Sequence, residues 1–321
     1  MPSAKRKPRS LPRYIPAEKS NLTNLRPGKD PSIIIGPVRN LLVKRAAEDD
    51  RRADVIHPSE MAKKNWCGRA TYYRLAGFPP DEEVVNTNSE LIFEEGHSIH
   101  HKWQFWHWQL GDLQGIYECI VCKWKGWATS PRHCPRCFMP AYNYEGPLFM
   151  RYREVPLESP EYRIAGHADG LTDELFEVKS MSPGTVRVEA PQIYRRYEEG
   201  ELTMPQLWQN MRRPFPSHIR QGMIYCWLRG TSTMRFIYEW KMTSAPKEFQ
   251  VELDEQVMEK LLDKCLDILY AVEHEKRPRR PQWATGPKNA TCRECPHKTE
   301  CWKGHDEEET TVSVRRRRRT S

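Results

Sequence analysis

Apolar residues recur at helical spacing between Ser89 and Leu110, with Ile99, Trp103, Trp106 and Leu110 on one stripe, and this spacing predicts a helix over the whole stretch. Further on the period drops to two. Roughly Leu148–Val155, Glu161–Ala168 and Leu175–Ser180 read as three successive strands, with Tyr162, Ile164 and Gly166 sharing a face of the second. Met234–Trp240 reads as a fourth, with Phe236, Tyr238 and Trp240 on one side. Gln221 and Tyr225 lie four apart between the last two strands, so a helix there sets them on one face. Val257, Leu261, Cys265, Ile268 and Val272 mark a later amphipathic helix. The expected order is helix, three strands, helix, strand: an α/β (α+β) fold. The 321 residues suffice for one large domain plus an insert, and no internal repeat is visible.

Chemistry concentrates in the second and third strands. A turn is expected at Asp169-Gly170, and Leu175, Glu177 and Lys179 then share one face of the returning strand. Such a hairpin brings Asp169 near Glu177. Carboxylate oxygens suit hard cations such as Mg²⁺ or Mn²⁺. A lysine beside them could meet the negative charge that develops when a phosphodiester is cleaved. The competing reading is an exposed hairpin with ordinary salt bridges.

The surrounding residues favour the first reading. Gly96-x-x-x-His100, Gly166-x-x-Asp169, Glu177-x-Lys179 and Gln221-x-x-x-Tyr225, in this order, resemble the RecB-type branch of the PD-(D/E)XK nucleases. The resemblance covers about residues 60–302 and implies a restriction-endonuclease-like αβββαβ core. It also implies that His100, Asp169 and Glu177 are Mg²⁺ or Mn²⁺ ligands and that Lys179 is the catalytic lysine. Gln221 and Tyr225 would line the site and contact the phosphate backbone. The residue before Asp169 is alanine where proline is found in much of the superfamily. His97, His101 and His107, in the same helix as His100, read as surface or polar-capped residues.

Ten cysteines add two ligand sets. The first thirty residues lack an apolar run, so no leader is expected, and no stretch is long enough to span a bilayer. A reducing compartment, where clustered cysteines favour metal over disulfides, is therefore expected. Cys119-x-x-Cys122 and Cys134-x-x-Cys137 are two knuckles with eleven residues between them, a pattern that suits tetrahedral Zn²⁺ in a zinc ribbon. Such a ribbon could simply fold a small lobe that lacks a core. It could also touch DNA through Lys123, Lys125, Arg132 and Arg136, with Trp124 or Trp127 as a stacking surface.

Cys292-x-x-Cys295-x₅-Cys301 needs a distant fourth ligand, and Cys67 is the candidate. One upstream cysteine with this C-terminal triplet resembles the iron–sulfur nucleases of the same superfamily, namely the CRISPR-associated exonucleases (the fourth Cas protein) and the AddB-type domains. The resemblance implies a [4Fe–4S] cluster acting as a structural clasp. A second zinc site on the same thiolates, with His297 or His305, is the alternative. Cys226 and Cys265 read as buried small hydrophobes.

The chain carries 51 basic and 43 acidic residues. Eight basic and two acidic residues fall in 1–30, and six basic and four acidic in 303–321, so 31–302 holds 37 of each. Nucleic-acid binding by the body must then come from local placement, for example Arg195, Arg196, Arg212, Arg213 and Arg220. The expected layout is a largely disordered basic tail at 1–55, a nuclease domain at 56–302 with the ribbon inserted at 112–142, and a disordered tail at 303–321 ending in Arg315–Arg319. The tails would serve solubility or salt-dependent DNA affinity.

These readings imply a metal-dependent DNA exonuclease acting on ends or single strands in recombination, repair or phage DNA replication. A helicase or recombination protein is a candidate partner. The expected setting is the cytoplasm of a bacterium or phage-infected host, or the nucleus if the cell has one. An endonuclease of the same fold and a non-catalytic DNA-binding or assembly subunit with structural metals are the competitors.

Overall fold

The computed structural model describes residues 33–48, 51–81, 86–143 and 146–303; residues 1–30, His305 and the Arg315–Arg319 run lie outside them. The described chain divides into two compact units, 33–48 with 86–92, and 51–81 with 93–303. The smaller unit holds helix α1 (Ile35–Ala47), inside the stretch read from sequence as a tail, and the start of α4 (Thr87–Leu110).

The larger unit opens with α2 (Pro58–Met61) and α3 (Gly68–Leu75), and the rest of α4 follows. The strand-rich middle comprises β1 (Gln114–Cys119), β2 (Lys125–Thr129), β3 (Tyr142–Asn143), β4 (Gly146–Pro147), β5 (Met150–Tyr152), β6 (Val155–Ser159), β7 (Ile164–Ala168), β8 (Gly170–Leu171) and β9 (Leu175–Met181). Four helices come next: α5 (Pro183–Glu189), α6 (Pro191–Glu198), α7 (Met204–Gln209) and α8 (Pro216–Arg229). The unit closes with β10 (Thr233–Trp240), β11 (Ala245–Glu252), α9 (Glu255–Glu273), α10 (Ala290–Arg293) and α11 (Lys298–Trp302).

Seven strands form one mixed sheet in the order β11-β10-β9-β8-β1-β2, with β5 pairing beside β1. Strand β10 runs parallel to β9, and the other pairs in this sheet are antiparallel. The fold is thus mixed α/β. Alternation along β9 sorts its side chains. Leu175 and Met181 enter a core with Tyr225 and Cys226 of α8, while Phe176 and Val178 enter another with Ile99 and Trp108 of α4. A third core joins α3 and α9 through Tyr72, Tyr73, Cys265 and Ile268. Cys226 and Cys265 are both buried.

Local signals set the helix ends near the site. Helix α8 has Pro216 in its first turn, and Gly230, at φ 74°, closes it in the left-handed region. Asp254 caps α9 by accepting from the backbone N–H of Gln256 and Val257, both at 3.0 Å.

Several features differ from the sequence expectation. The strand read over Leu148–Val155 is broken into β5 and β6 at Arg153-Glu154, where Glu154 takes φ 60°. The second strand starts at Ile164 rather than Glu161, because Pro160–Arg163 form a turn. The chain reverses at Thr172–Glu174 rather than at Asp169-Gly170, with Thr172 N–H donating to the Glu174 carbonyl at 3.1 Å. Strand β11 was not anticipated: its burial alternates at an exposed edge, and its lysine, glutamates and proline mask the period. The ribbon segment also differs from a separate lobe without a core. Its strands β1 and β2 extend the main sheet, and Tyr117, Cys119 and Cys134 pack in the same core as Ile99 and Phe176.

Candidate active site

Asp169 sits at the bend between β7 and β8, and two ladders fix its neighbours. Gly170 pairs with Phe176, so one step back along that antiparallel register sets Asp169 opposite Glu177. Val155 pairs with Ala168, so one step on sets Glu154 beside Asp169 on the other flank. Three carboxylates therefore stand in adjacent rows. Asp169 and Glu177 are only 5% and 4% exposed.

Each buried carboxylate is partnered. Asp169 Oδ2 accepts from Val178 N–H at 2.7 Å, and its Oδ1 lies 3.1 Å from His100 Nδ1. Glu177 Oε1 accepts from Lys179 Nζ at 2.8 Å and from Gln221 Nε2 at 3.1 Å. The same Gln221 amide donates to the Tyr225 hydroxyl at 2.9 Å, as expected for residues four apart on α8. Glu177 Oε2 has only the long 3.4 Å bond from Asp169 N–H, so it keeps unshared lone pairs. His100 and Lys179, about a fifth to a quarter exposed, are the members that reach solvent.

The electrostatics follow from packing three acids against two cationic groups. Burial and the Asp169 charge push the Glu177 carboxyl above the usual carboxylate range. Burial also drives Glu154 up, to about 7, and the charges of Asp169 and Glu177 add to it. Burial alone would lower Lys179, but Glu177 and Asp169 outweigh it and hold the ammonium above its ordinary value. His100 is likewise raised, the hydrogen bond and charge of Asp169 overcoming desolvation. Burial and Glu177 raise Tyr225 well above the normal phenol range, so its hydroxyl remains a donor.

Carboxylate oxygens of the kind that Asp169 and Glu177 offer suit hard cations, and His100 on α4 reaches Asp169, but these three do not all lie within 4.8 Å of one another. Glu154 and Gln104 extend the network and were missed in the sequence. Gln104 donates to the Asp169 backbone carbonyl at 2.9 Å and lies one helical turn beyond His100, so its face was legible. Glu154 gave no such signal, because an unbroken strand would have turned it elsewhere. A non-glycine residue at φ 60° costs roughly 1 kcal/mol, which the surrounding hydrogen bonds offset. Its carbonyl accepts from Ile116 N–H at 3.2 Å, and Arg153 N–H donates to the Ile116 carbonyl at 2.7 Å. His218, on α8 one turn before Gln221, is a further neighbour of Lys179; burial and that charge hold its pKa down at about 3.

Two of the arginines singled out in the sequence have partners within the chain. Arg196 pairs with Glu201 at 2.9 Å, and Arg220 donates to the Ala62 carbonyl at 2.6 Å. Arg195, Arg212 and Arg213 are exposed.

The two cysteine sets differ in spacing. Cys119 Sγ lies 3.6 Å from Cys137 Sγ, and Cys122 Sγ lies 3.6 Å from Cys134 Sγ. A tetrahedral ion with Zn–S bonds of about 2.3 Å requires sulfurs about 3.8 Å apart. Among the described residues this is the one group of three or more potential ligands drawn together within 4.8 Å, and it could hold a metal. Both knuckles are built alike. The residue after the second cysteine, Lys123 or Phe138, takes φ near 60°, and its N–H donates to the first cysteine's carbonyl at 3.0 Å. Burial would raise Cys134, but the N–H groups of Cys137 and Arg136 and the Cys122 thiol lower it, while burial and the neighbouring thiols raise Cys137 in turn. Of the ribbon cations, Arg132 lies 4.6 Å over the Trp108 ring and Arg136 reaches the Cys122 carbonyl, whereas Lys123 and Lys125 are exposed, and Arg229 lies 5.7 Å over the exposed Trp127 ring.

Cys67, Cys292, Cys295 and Cys301 all line one cavity of about 350 Å³. Burial and the neighbouring thiols Cys67, Cys301 and Cys292 push Cys295 up to about 11. These four are not drawn together to the spacing of a single ion. His297, 3% exposed, also lines the cavity, and its Nδ1 has no hydrogen-bond partner among the described residues. Its imidazole therefore stands as the alternative ligand.

No family model matches the sequence, and no curated protein matches it. No helix among the described residues is long and apolar enough to cross a membrane. Among solved structures, the chain is similar to LHK-Exo, an alkaline exonuclease from Laribacter hongkongensis, with a TM-score of 0.38, 12% identity, and coverage of 70% of this chain and 90% of that one. The complex of LHK-Exo with dAMP gives 0.38, 13%, 70% and 89%. SSO0001 gives a TM-score of 0.36 and 12% identity over 84% of this chain and 96% of that one.

Proposed function

We propose that this chain is a divalent-metal-dependent nuclease with a RecB-type PD-(D/E)XK core, acting on DNA as an exonuclease. The observation that carries the reading is the single buried network of His100, Asp169, Glu177, Lys179 and Gln221. Asp169, Glu177 and His100 would hold Mg²⁺ or Mn²⁺, which when bound acidifies water and screens phosphate charge. Lys179, kept cationic by its two acids, would meet the charge developing on the scissile phosphate. Gln221 would fix Glu177, and the Tyr225 hydroxyl would donate to a phosphate oxygen. An intact acid–amine set favours an enzyme over an idle assembly subunit.

In this reading the nuclease domain spans 56–302, with the ribbon as an insert at 112–142. Zn²⁺ on Cys119, Cys122, Cys134 and Cys137 and a [4Fe–4S] cluster on Cys67, Cys292, Cys295 and Cys301 are structural. DNA ends are the substrate, in recombination, repair or phage replication, with a helicase as candidate partner.

The test is digestion of linear and covalently closed circular DNA with Mg²⁺ or Mn²⁺. Linear DNA should disappear and circles survive; cutting of circles would assign an endonuclease instead. Asp169→Ala and Lys179→Ala should each lower cleavage by at least about 100-fold while folding and the metals held by the cysteines persist. Normal digestion by both variants would remove the site from consideration.

A further inference from the structure

A second cleft, apart from the Asp169 network, has the chemistry of a strand-binding groove. It has a volume of about 590 Å³ and lies between the turn before α3, helix α9 and the connector that follows α9. Six cationic side chains line it against one carboxylate, Asp267. The body of the chain is formally neutral, so this is a local concentration of charge rather than a share of a general excess.

The cations divide into two sets. Arg69 and Lys264 build the floor. Arg69 donates to the Pro278 carbonyl at 3.1 Å, and Lys264 donates to the Trp66 carbonyl at 2.6 Å with its ammonium 4.2 Å over the Trp66 ring. Arg277 pairs with Glu300 at 3.4 Å. Lys64, Lys276 and Arg279 make no ion pair among the described residues, yet they face the same cleft. Trp283, half-buried in its wall, has no aromatic or cationic partner on its ring among the described residues.

We propose that this cleft binds single-stranded nucleic acid, with Lys64, Lys276 and Arg279 on the phosphates and one base stacked on Trp283. The volume accommodates a nucleotide unit. An unpaired base is required because duplex bases are already stacked on each other. The inference does not depend on cleavage: a chain that binds strands here without cutting would sink the nuclease reading and leave this one intact.

The test uses the full chain with its resident metals, no added divalent cation, and a fluorescein-labelled dT12, read by anisotropy across a salt series. The triple variant Lys64→Ala/Lys276→Ala/Arg279→Ala should bind at least about tenfold more weakly, and its log–log salt slope should flatten by about 2. Any contribution from the basic ends of the chain is common to both proteins. Trp283→Ala should weaken dT12 binding by about tenfold but leave an abasic oligomer unaffected, while Trp283→Phe, which keeps a ring, should bind near the parent level. Unchanged affinity and slope in the triple variant would overturn the proposal. So would a site that pyrophosphate occupies as well as dT12 and that is indifferent to Trp283, because that describes a simple anion pocket.

Discussion

Asp169 and Glu177 face each other one step beyond the Gly170–Phe176 pair, so the short β8–β9 hairpin itself sets the distance between the two acids. The hairpin depends on a close approach: a Cβ built on Gly170 would stand 2.1 Å from Cζ of the buried Phe176 ring. Gly170→Ala should therefore cost about 1–3 kcal/mol as the ring is displaced. Urea denaturation checks this, and a loss below a few tenths would mean that Phe176 yields freely.

Glu154 flanks Asp169 from the opposite side. Glu154→Gln keeps a hydrogen-bonding group and removes the charge. Mn²⁺ affinity, read by calorimetry, should fall about tenfold while the circular dichroism spectrum is retained. Unaltered affinity would assign Glu154 to packing alone.

His218 predicts a pH effect of definite sign. Its ring stacks on Phe236, and Nδ1 is hydrogen-bonded to the Tyr238 hydroxyl. Burial holds it neutral down to about 3, whereas an unfolded histidine takes up a proton near 6.5. Between those values the unfolded chain binds more protons. The stability is thus fully present above 6.5 and is lost as pH falls, by about 1.4 kcal/mol per pH unit. From pH 6.5 to 5 the parent should lose about 2 kcal/mol more than His218→Gln does. Parallel losses in the two proteins would show that another group dominates.

The two cysteine sets should respond differently to substitution. Cys134→Ser should release about one zinc per chain and destabilise the sheet, because Cys134 shares its core with Phe176 and Val178. Cys67→Ser should bleach the absorbance near about 400 nm expected of a cluster and leave zinc bound. Elemental analysis separates the outcomes; two zinc and no iron in the parent would assign the clasp to zinc.

Much of this was legible in the chain. Strand and helix periods put Glu177 with Lys179, and Gln221 with Tyr225, on shared faces, whereas His100 was singled out by the family resemblance and by no period of its own. The Cys-x-x-Cys pairs were equally clear. Glu154 was hidden because its position depends on a backbone break at φ 60° that no residue type announces. The union of the ribbon strands with the main sheet was hidden too, since pairing of β1 with β5 and β8 is a long-range choice. Nor does any pattern reveal that Lys64 meets Lys276 and Arg279, since more than 200 residues separate them.

The cavity shared by Cys67 and Cys292 has a consequence for biosynthesis. A nascent chain that has emerged only as far as α9 already has its sheet and its acids, but only one of the four thiols. Anything that the cavity binds through all four thiols can be inserted only once residue 301 has emerged, so loading follows formation of the sheet and its acids.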